Sequence, residues 1–319
     1  MLSRRAFLTL GLAGVVVAGG GLAWSSYASA MRTARDRVAR GSKTVPTRHG
    51  VMEYAVEGEG PPILMIHGTG GGFDQGLAFS RRLIAAGYRV IAPSRFGYLR
   101  SEMPSDPSSE NQADAFVDLL DALGVERVPV VGGSAGALSA TAFSLRHPDR
   151  CAALVALVPA SYAPDRSLAP PPGALTELII TRALRSDFLF WLGLATAGSA
   201  MTGALLATDP ALVAVASAEE QARAKAILWD ILPVSARADG LLNDARLSGN
   251  PAPMPLADIT VPTLAISLDD DRFDTIAAAR YIAAEVPGAK LVTWPTGGHI
   301  YIGHDADVAE AIDGFLRGL

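Results

Sequence analysis

The chain has 319 residues, of which 50% are hydrophobic and 18% charged, and its formal net charge is −5. That composition buries a sizeable core and excludes global disorder, and the lack of a basic stripe with interleaved aromatics argues against nucleic-acid binding. The single cysteine, Cys151, excludes an intrachain disulfide and thiolate metal clusters.

The first 30 residues read as a leader. Ser3-Arg4-Arg5-Ala6-Phe7-Leu8 resembles a twin-arginine export motif, and an uncharged stretch follows from Ala6 to Trp24. Ala28-Ser29-Ala30 then fits a small-residue cleavage site. The same stretch is long enough to stay as a membrane anchor. The expected location is the periplasm or the cytoplasmic membrane, and the basic residues after the stretch argue, by the positive-inside rule, for the cytoplasmic side as the alternative. Residues 31–44, with Arg32, Arg35, Arg37, Arg40 and Lys43, read as a basic linker that is solvated or lies against anionic lipid.

From Val45 strands alternate with helices. His49 to Val56 reads as an edge strand, and Ile63 to Ile66 as a strand buried on both faces. A helix is expected from Phe79 to Ala86, ending at Gly87, and a strand from Tyr88 to Ala92. Asn111 to Leu123 has helical spacing and stops at Gly124. Val128 to Val131 is a strand, Ala137 to Leu145 a helix, and Cys151 to Val158 a further buried strand. No strand is legible over 161–258, which is bounded by Pro170-Pro171-Pro172 and by the prolines of Asn250 to Pro255. Leu175 to Leu184, Phe188 to Met201 and Glu219 to Ile231 read there as helices. Strand Thr263 to Ser267, helix Thr275 to Val286, strand Lys290 to Trp294 and helix Val308 to Leu316 complete the pattern. The fold class is therefore α/β, a mostly parallel sheet flanked by helices, with a core of 45–160 and 259–319 interrupted by an all-helical insertion.

Gly132-Gly133-Ser134-Ala135-Gly136 joins a β-branched strand to an alanine-rich helix. This is the layout of a nucleophile elbow, a sharp turn that exposes the serine Oγ. Taken alone, the motif fits a turn serine capping a helix equally well. Three further features decide. His67-Gly68-Thr69-Gly70-Gly71-Gly72 follows a strand, and no Lys follows it as a phosphate loop requires. Its Thr69 amide, with that of Ala135, is the expected pair of oxyanion donors. Asp269-Asp270-Asp271 ends a later strand; Asp271 is the expected acid and Asp270 the alternative. Gly297-Gly298-His299 follows the last strand, with His304 the competitor for the base. The order Ser134, Asp271, His299 is the one this architecture uses.

On these residues, with Arg95 to Ser101, the chain from about Val45 to Leu319 resembles the α/β-hydrolase family. Leu99 stands where that family usually has a second glycine, so a differently shaped loop is expected. The resemblance implies that 161–258 is a helical cap, and serine at the elbow implies acyl chemistry. The expected function is a serine hydrolase, a carboxylesterase on a small to medium apolar ester, with no metal or organic cofactor. Amide (aminopeptidase-like), carbon–carbon and perhydrolase chemistry on the same residues are the alternatives, and a non-catalytic ligand-binding protein is the alternative from another class. Phe188, Trp191 and Trp229 are the expected pocket residues. Arg237 and Asp244, just ahead of the second proline-rich boundary, are candidates to tie cap to core.

Overall fold

The computed structural model describes residue 21 and residues 23–168 and 173–319. Eight strands form one sheet: β1 Lys43–Thr47, β2 Gly50–Glu57, β3 Pro62–Ile66, β4 Arg89–Pro93, β5 Val128–Gly133, β6 Cys151–Leu157, β7 Thr263–Leu268 and β8 Lys290–Trp294. Their order is β1-β2-β4-β3-β5-β6-β7-β8. β1 and β2 run antiparallel to their neighbours, and β3 to β8 are mutually parallel. The chain leaves β3 toward β4 and returns on its other side to β5. That reversal opens a crevice at the carboxyl ends of β3 and β5, where sheets of this kind bind ligands.

The continuous apolar runs in β3, β5, β6 and β7 are buried, as parallel strands covered on both faces must be. Helices α4 (Ser109–Ala122), α5 (Gly136–Arg146) and α11 (Thr275–Glu285) bury Phe116, Leu119, Phe143 and Ile282 against one face. Helices α2 (Phe73–Phe79), α3 (Arg81–Ala85) and α12 (Asp305–Arg317) bury Phe73, Leu83, Ile312 and Phe315 against the other.

Between β6 and β7 lie α6 (Ala174–Leu184), α7 (Asp187–Leu205), α8 (Pro210–Val215), α9 (Ala218–Trp229) and α10 (Ala238–Gly249). They share a third apolar cluster, built on Phe190, Trp191, Leu194, Ile227 and Leu228. This insertion is helical, as its pattern predicts. The short α8 and α10 were not legible.

Two expectations fail at the N-terminal side. The strand read from His49 to Val56 is not at the edge. It is β2, covered by β1, and His49 sits in the turn between them. Nor is 31–44 a linker. Residues 23–38 form one helix, α1, and Lys43 already begins β1. Met31 and Ala34 are buried in the insertion's cluster. Arg37 bonds Asp74 at 3.0 Å and the Leu232 carbonyl at 2.5 Å, so its charge serves packing and not solvation. Ala28, Ser29 and Ala30 lie inside this helix. Arg4 and Arg5 lie outside the described residues.

Candidate active site

Ser134 opens the turn from β5 into α5. It takes a left-handed backbone, φ +53°, a conformation that costs an L-residue about 1–2 kcal/mol. The flanking glycines make the turn possible. A Cβ on Gly136 would stand 2.5 Å from the His67 carbonyl oxygen, and one on Gly132 2.6 Å from the Ala140 Cβ. Over residues 130–144 only Ser134 is partly exposed; every neighbour is buried. The strand-turn-helix geometry therefore leaves one hydroxyl facing outward.

Ser134 Oγ lies 2.9 Å from His299 Nε2, and His299 Nδ1 lies 2.8 Å from Asp271 Oδ2. Burial pushes the Asp271 carboxyl up. The His299 charge and hydrogen bond, the Thr275 hydroxyl and the Phe273 amide outweigh it, and the net direction is down. Asp271 is thus an ionised acceptor, and Nδ1 of His299 must donate to it. Nε2 is then the atom that accepts from the serine hydroxyl.

Asp270, the alternative acid, does something else. Its two oxygens accept the Gly297 and Gly298 amides at 3.1 and 2.8 Å. These glycines have φ +139° and +63°, so Asp270 fixes the bend that presents His299. His304 pairs with Asp307 at 2.7 Å and stacks on Trp294. It takes no part in the line.

The glycine-rich turn after β3 abuts the serine. A Cβ on Gly68 would be 3.1 Å from the Ser134 Cβ. Among the described residues the amides of Thr69 and Ala135 have no acceptor, and Ala135 opens α5, where the helix dipole is positive. His67 holds the turn. Burial, then the Arg95 charge, depress its pKa well below the usual imidazole value, so it is neutral. Its Nε2 accepts the Arg95 amide at 2.9 Å, which leaves the proton on Nδ1, facing the Gly68 carbonyl at 2.7 Å.

Arg237 and Asp244 both tie the insertion to the sheet, as their position suggested. Arg237 is fully buried and bonds Asp74 at 2.7 Å and the Gly71 carbonyl. Asp244 accepts two bonds of 2.6 Å from Arg95 and one of 2.5 Å from the Tyr98 hydroxyl. Tyr98 in turn accepts the Gly70 amide at 3.2 Å. Leu99 has φ +55°, so the backbone takes the sense of turn a glycine would allow, and the Leu99 amide bonds the Ala236 carbonyl of the insertion at 2.7 Å. From the other side, Arg223 of α9 donates to the Ile300 carbonyl at 2.7 Å, and Glu220 accepts the Gly303 amide at 2.8 Å. The insertion therefore braces both the turn after β3 and the loop bearing His299. Sequence reading missed Thr275, Tyr98, Glu220 and Arg223. Tyr98 falls within the Arg95 to Ser101 segment without a role being assigned to it, the other three sit in no motif, and only the folded packing brings them here.

Ser134 and His299 open into a cavity of about 890 Å³. Leu157, Val158, Phe79, Leu205, Leu206, Ile227 and Phe273 line it, with Arg166, Arg246 and Arg272 as the cationic groups. The expected pocket aromatics are elsewhere. Phe188 and Trp191 pack on Tyr27 of α1, at 5.3 and 5.5 Å between ring centres. Trp229 ends α9 beneath the Lys225 ammonium. Trp191 serves the insertion's own core, Trp229 packs against it partly buried, and Phe188 is exposed. Among the described residues no group of three or more His, Cys, Asp or Glu could hold a metal ion.

The sequence matches the alpha/beta hydrolase fold family over residues 61–303. It is 31% identical over 267 residues to the 2-hydroxy-6-oxononadienedioate/2-hydroxy-6-oxononatrienedioate hydrolase of Paraburkholderia xenovorans, 78% of this chain and 84% of that protein. A shorter match, 37% over 108 residues, joins it to the uncharacterized hydrolase YcgS of Bacillus subtilis, covering 34% of this chain and only 38% of that one. An alpha/beta hydrolase fold protein from Nakamurella multipartita superposes with a TM-score of 0.68 at 29% identity, over 86% of this chain and 99% of that one. The chain belongs to the alpha/beta hydrolase fold family and is a hydrolase of that family.

Proposed function

We propose that the protein is a serine hydrolase that cleaves a small to medium apolar carboxylic ester through an acyl-serine intermediate. The observation that carries this is the Ser134–His299–Asp271 line at the floor of a largely apolar cavity. Ser134 Oγ adds to the ester carbonyl carbon while its proton passes to His299 Nε2. Asp271 holds the imidazole in the right tautomer and stabilises its positive charge. The Thr69 and Ala135 amides receive the oxyanion. The carbon–oxygen bond breaks, and the alcohol leaves with the proton from His299. Water, deprotonated by the same imidazole, then splits the acyl-serine and restores the hydroxyl. A cavity of about 890 Å³ suits a drug-sized ligand.

Carbon–carbon hydrolysis is the second reading. The Paraburkholderia relative carries a dicarboxylate substrate in its name, and Arg166 and Arg246 on the cavity wall offer positive charge to such an anion, Arg272 being paired with Asp209 at 2.7 Å. Assay of nitrophenyl esters of graded acyl length beside 2-hydroxy-6-oxononadienedioate separates the two. The ester reading expects turnover across the ester series with an optimum at medium length. Cleavage of the dienedioate without ester turnover would replace it by the second.

We further infer that the N-terminal segment holds the protein at the cytoplasmic membrane on its exported, periplasmic side. The Arg4-Arg5 pair and the uncharged stretch after it support this. Retention is favoured over cleavage, because a cut after Ala30 would remove Tyr27 from its packing on Phe188 and Trp191. Arg4→Lys with Arg5→Lys should leave the protein in the cytoplasm. Unchanged fractionation would refute the export route.

A further inference from the structure

Helix α6 is an anomaly. Its sequence is mostly apolar, yet none of its described side chains is buried. Leu175 is 72% exposed, Leu178 52% and Ile179 59%. Helix α7 continues the surface with Phe188, Leu189 and Leu192 exposed. It is apolar enough to cross a membrane, at mean hydropathy 1.4, but it buries Phe190, Trp191 and Leu194 in the insertion and so lies on the fold instead of leaving it. A contiguous apolar face of this kind on a water-soluble body marks an interaction surface.

Its position identifies the occupant. Tyr27 packs edge-on against Phe188 and Trp191, and Trp24, 63% exposed, packs on Tyr27. The first turns of α1 therefore pack on this face, and the sequence that leads into them is uncharged from Ala6 to Trp24. Trp, Tyr and Phe at such a junction suit the level of lipid headgroups. The exposed charged residues of these elements are Arg32, Arg35 and Asp36 on α1 and Glu177 and Arg182 on α6. The pair α6–α7 is also flanked by the cavity: Leu168 before it and Leu205 at its end both line the cavity and are exposed.

We propose that the α6–α7 face seats on a lipid bilayer, with the cavity opening at the membrane surface to take its ester from the lipid phase. The docking stands on the face itself; the lipid-borne substrate rests on the ester-hydrolase reading.

The test uses the full chain in vesicles of phosphatidylcholine and phosphatidylglycerol. A fluorophore is placed at Leu178→Cys, or at Glu285→Cys on the core helix α11 as control. Cys151 does not interfere, since it is buried and its thiol is pushed up to about 12. Lipid-borne quenchers should quench the probe at position 178 and not at 285. Equal absence of quenching overturns the docking. So does a probe at 178 that is shielded only as protein concentration rises, which would make the face a contact between two copies. A second arm replaces Leu175, Leu178 and Ile179 by Glu. It should slow hydrolysis of a vesicle-held ester at least about tenfold and leave a soluble short-chain ester unaffected. Equal rates on the vesicle-held ester overturn the delivery. If the unaltered protein cleaves neither ester, the hydrolase reading fails, and the quenching result still decides the docking.

Discussion

The sheet and the helical insertion place their apolar residues by different rules. In the sheet, β3, β5, β6 and β7 bury their apolar residues on both faces, and the loops that end them are fixed by packing from below. In the insertion Phe190, Trp191 and Leu194 turn inward to make a small core, while Phe188 and most of the aliphatic residues of α6 and α7 face out. The chemical groups therefore belong to the sheet, and the insertion supplies cavity wall, brace and surface. One hydroxyl is exposed by a strained turn, one imidazole is aimed by Asp270, and one carboxylate is held by Thr275 and the Phe273 amide.

The sharpest way to break this division is at Ser134. Ser134→Ala should lower ester turnover by roughly 10⁶-fold, and a steady-state assay that finds near-normal turnover would move the chemistry elsewhere. Asp271→Asn should cost roughly 10⁴-fold through the wrong tautomer of His299. Asp270→Asn, which loosens only the glycine bend, should cost about tenfold, the worth of one hydrogen bond. The reverse ranking would exchange their roles.

The brace is tested by stability. Arg95 and Asp244 form a buried bidentate pair, and Asp244→Ala strands the guanidinium. Urea unfolding should show a loss of about 3–5 kcal/mol. A loss within experimental error would mean that insertion and sheet are held by apolar contact alone.

The smallest effect is on pH dependence. The Asp271 pKa is depressed, so its stabilising contribution is complete above the unfolded carboxylate value and is lost only as pH falls through the lower folded one. Through the range where an imidazole titrates, Asp271 stays ionised. The acid limb of kcat/KM should then have a one-proton slope, about tenfold per pH unit, and a two-proton slope would contradict the assignment.

The parts legible in the sequence are those written by local steric rules. Gly132 and Gly136 announce the turn because a side chain at either would strike its neighbours. Continuous β-branched runs announce buried strands, and residues closing them fall at the carboxyl edge of the sheet. Phe188, Trp191 and Trp229 were misplaced because hydrophobicity alone does not tell the wall of a cavity from the core or the outer face of its lid. Residues 31–44 were misread because charge suggested solvent, whereas Arg37 bonds Asp74 and the carbonyls of the insertion. The brace from Tyr98, Glu220 and Arg223 joins segments far apart in the chain, which no local pattern encodes.

The most direct test is labelling with a fluorophosphonate followed by peptide mass mapping. The account predicts one adduct, on the peptide bearing Ser134, which disappears in His299→Ala. An adduct on another residue, or none on an active preparation, would contradict it.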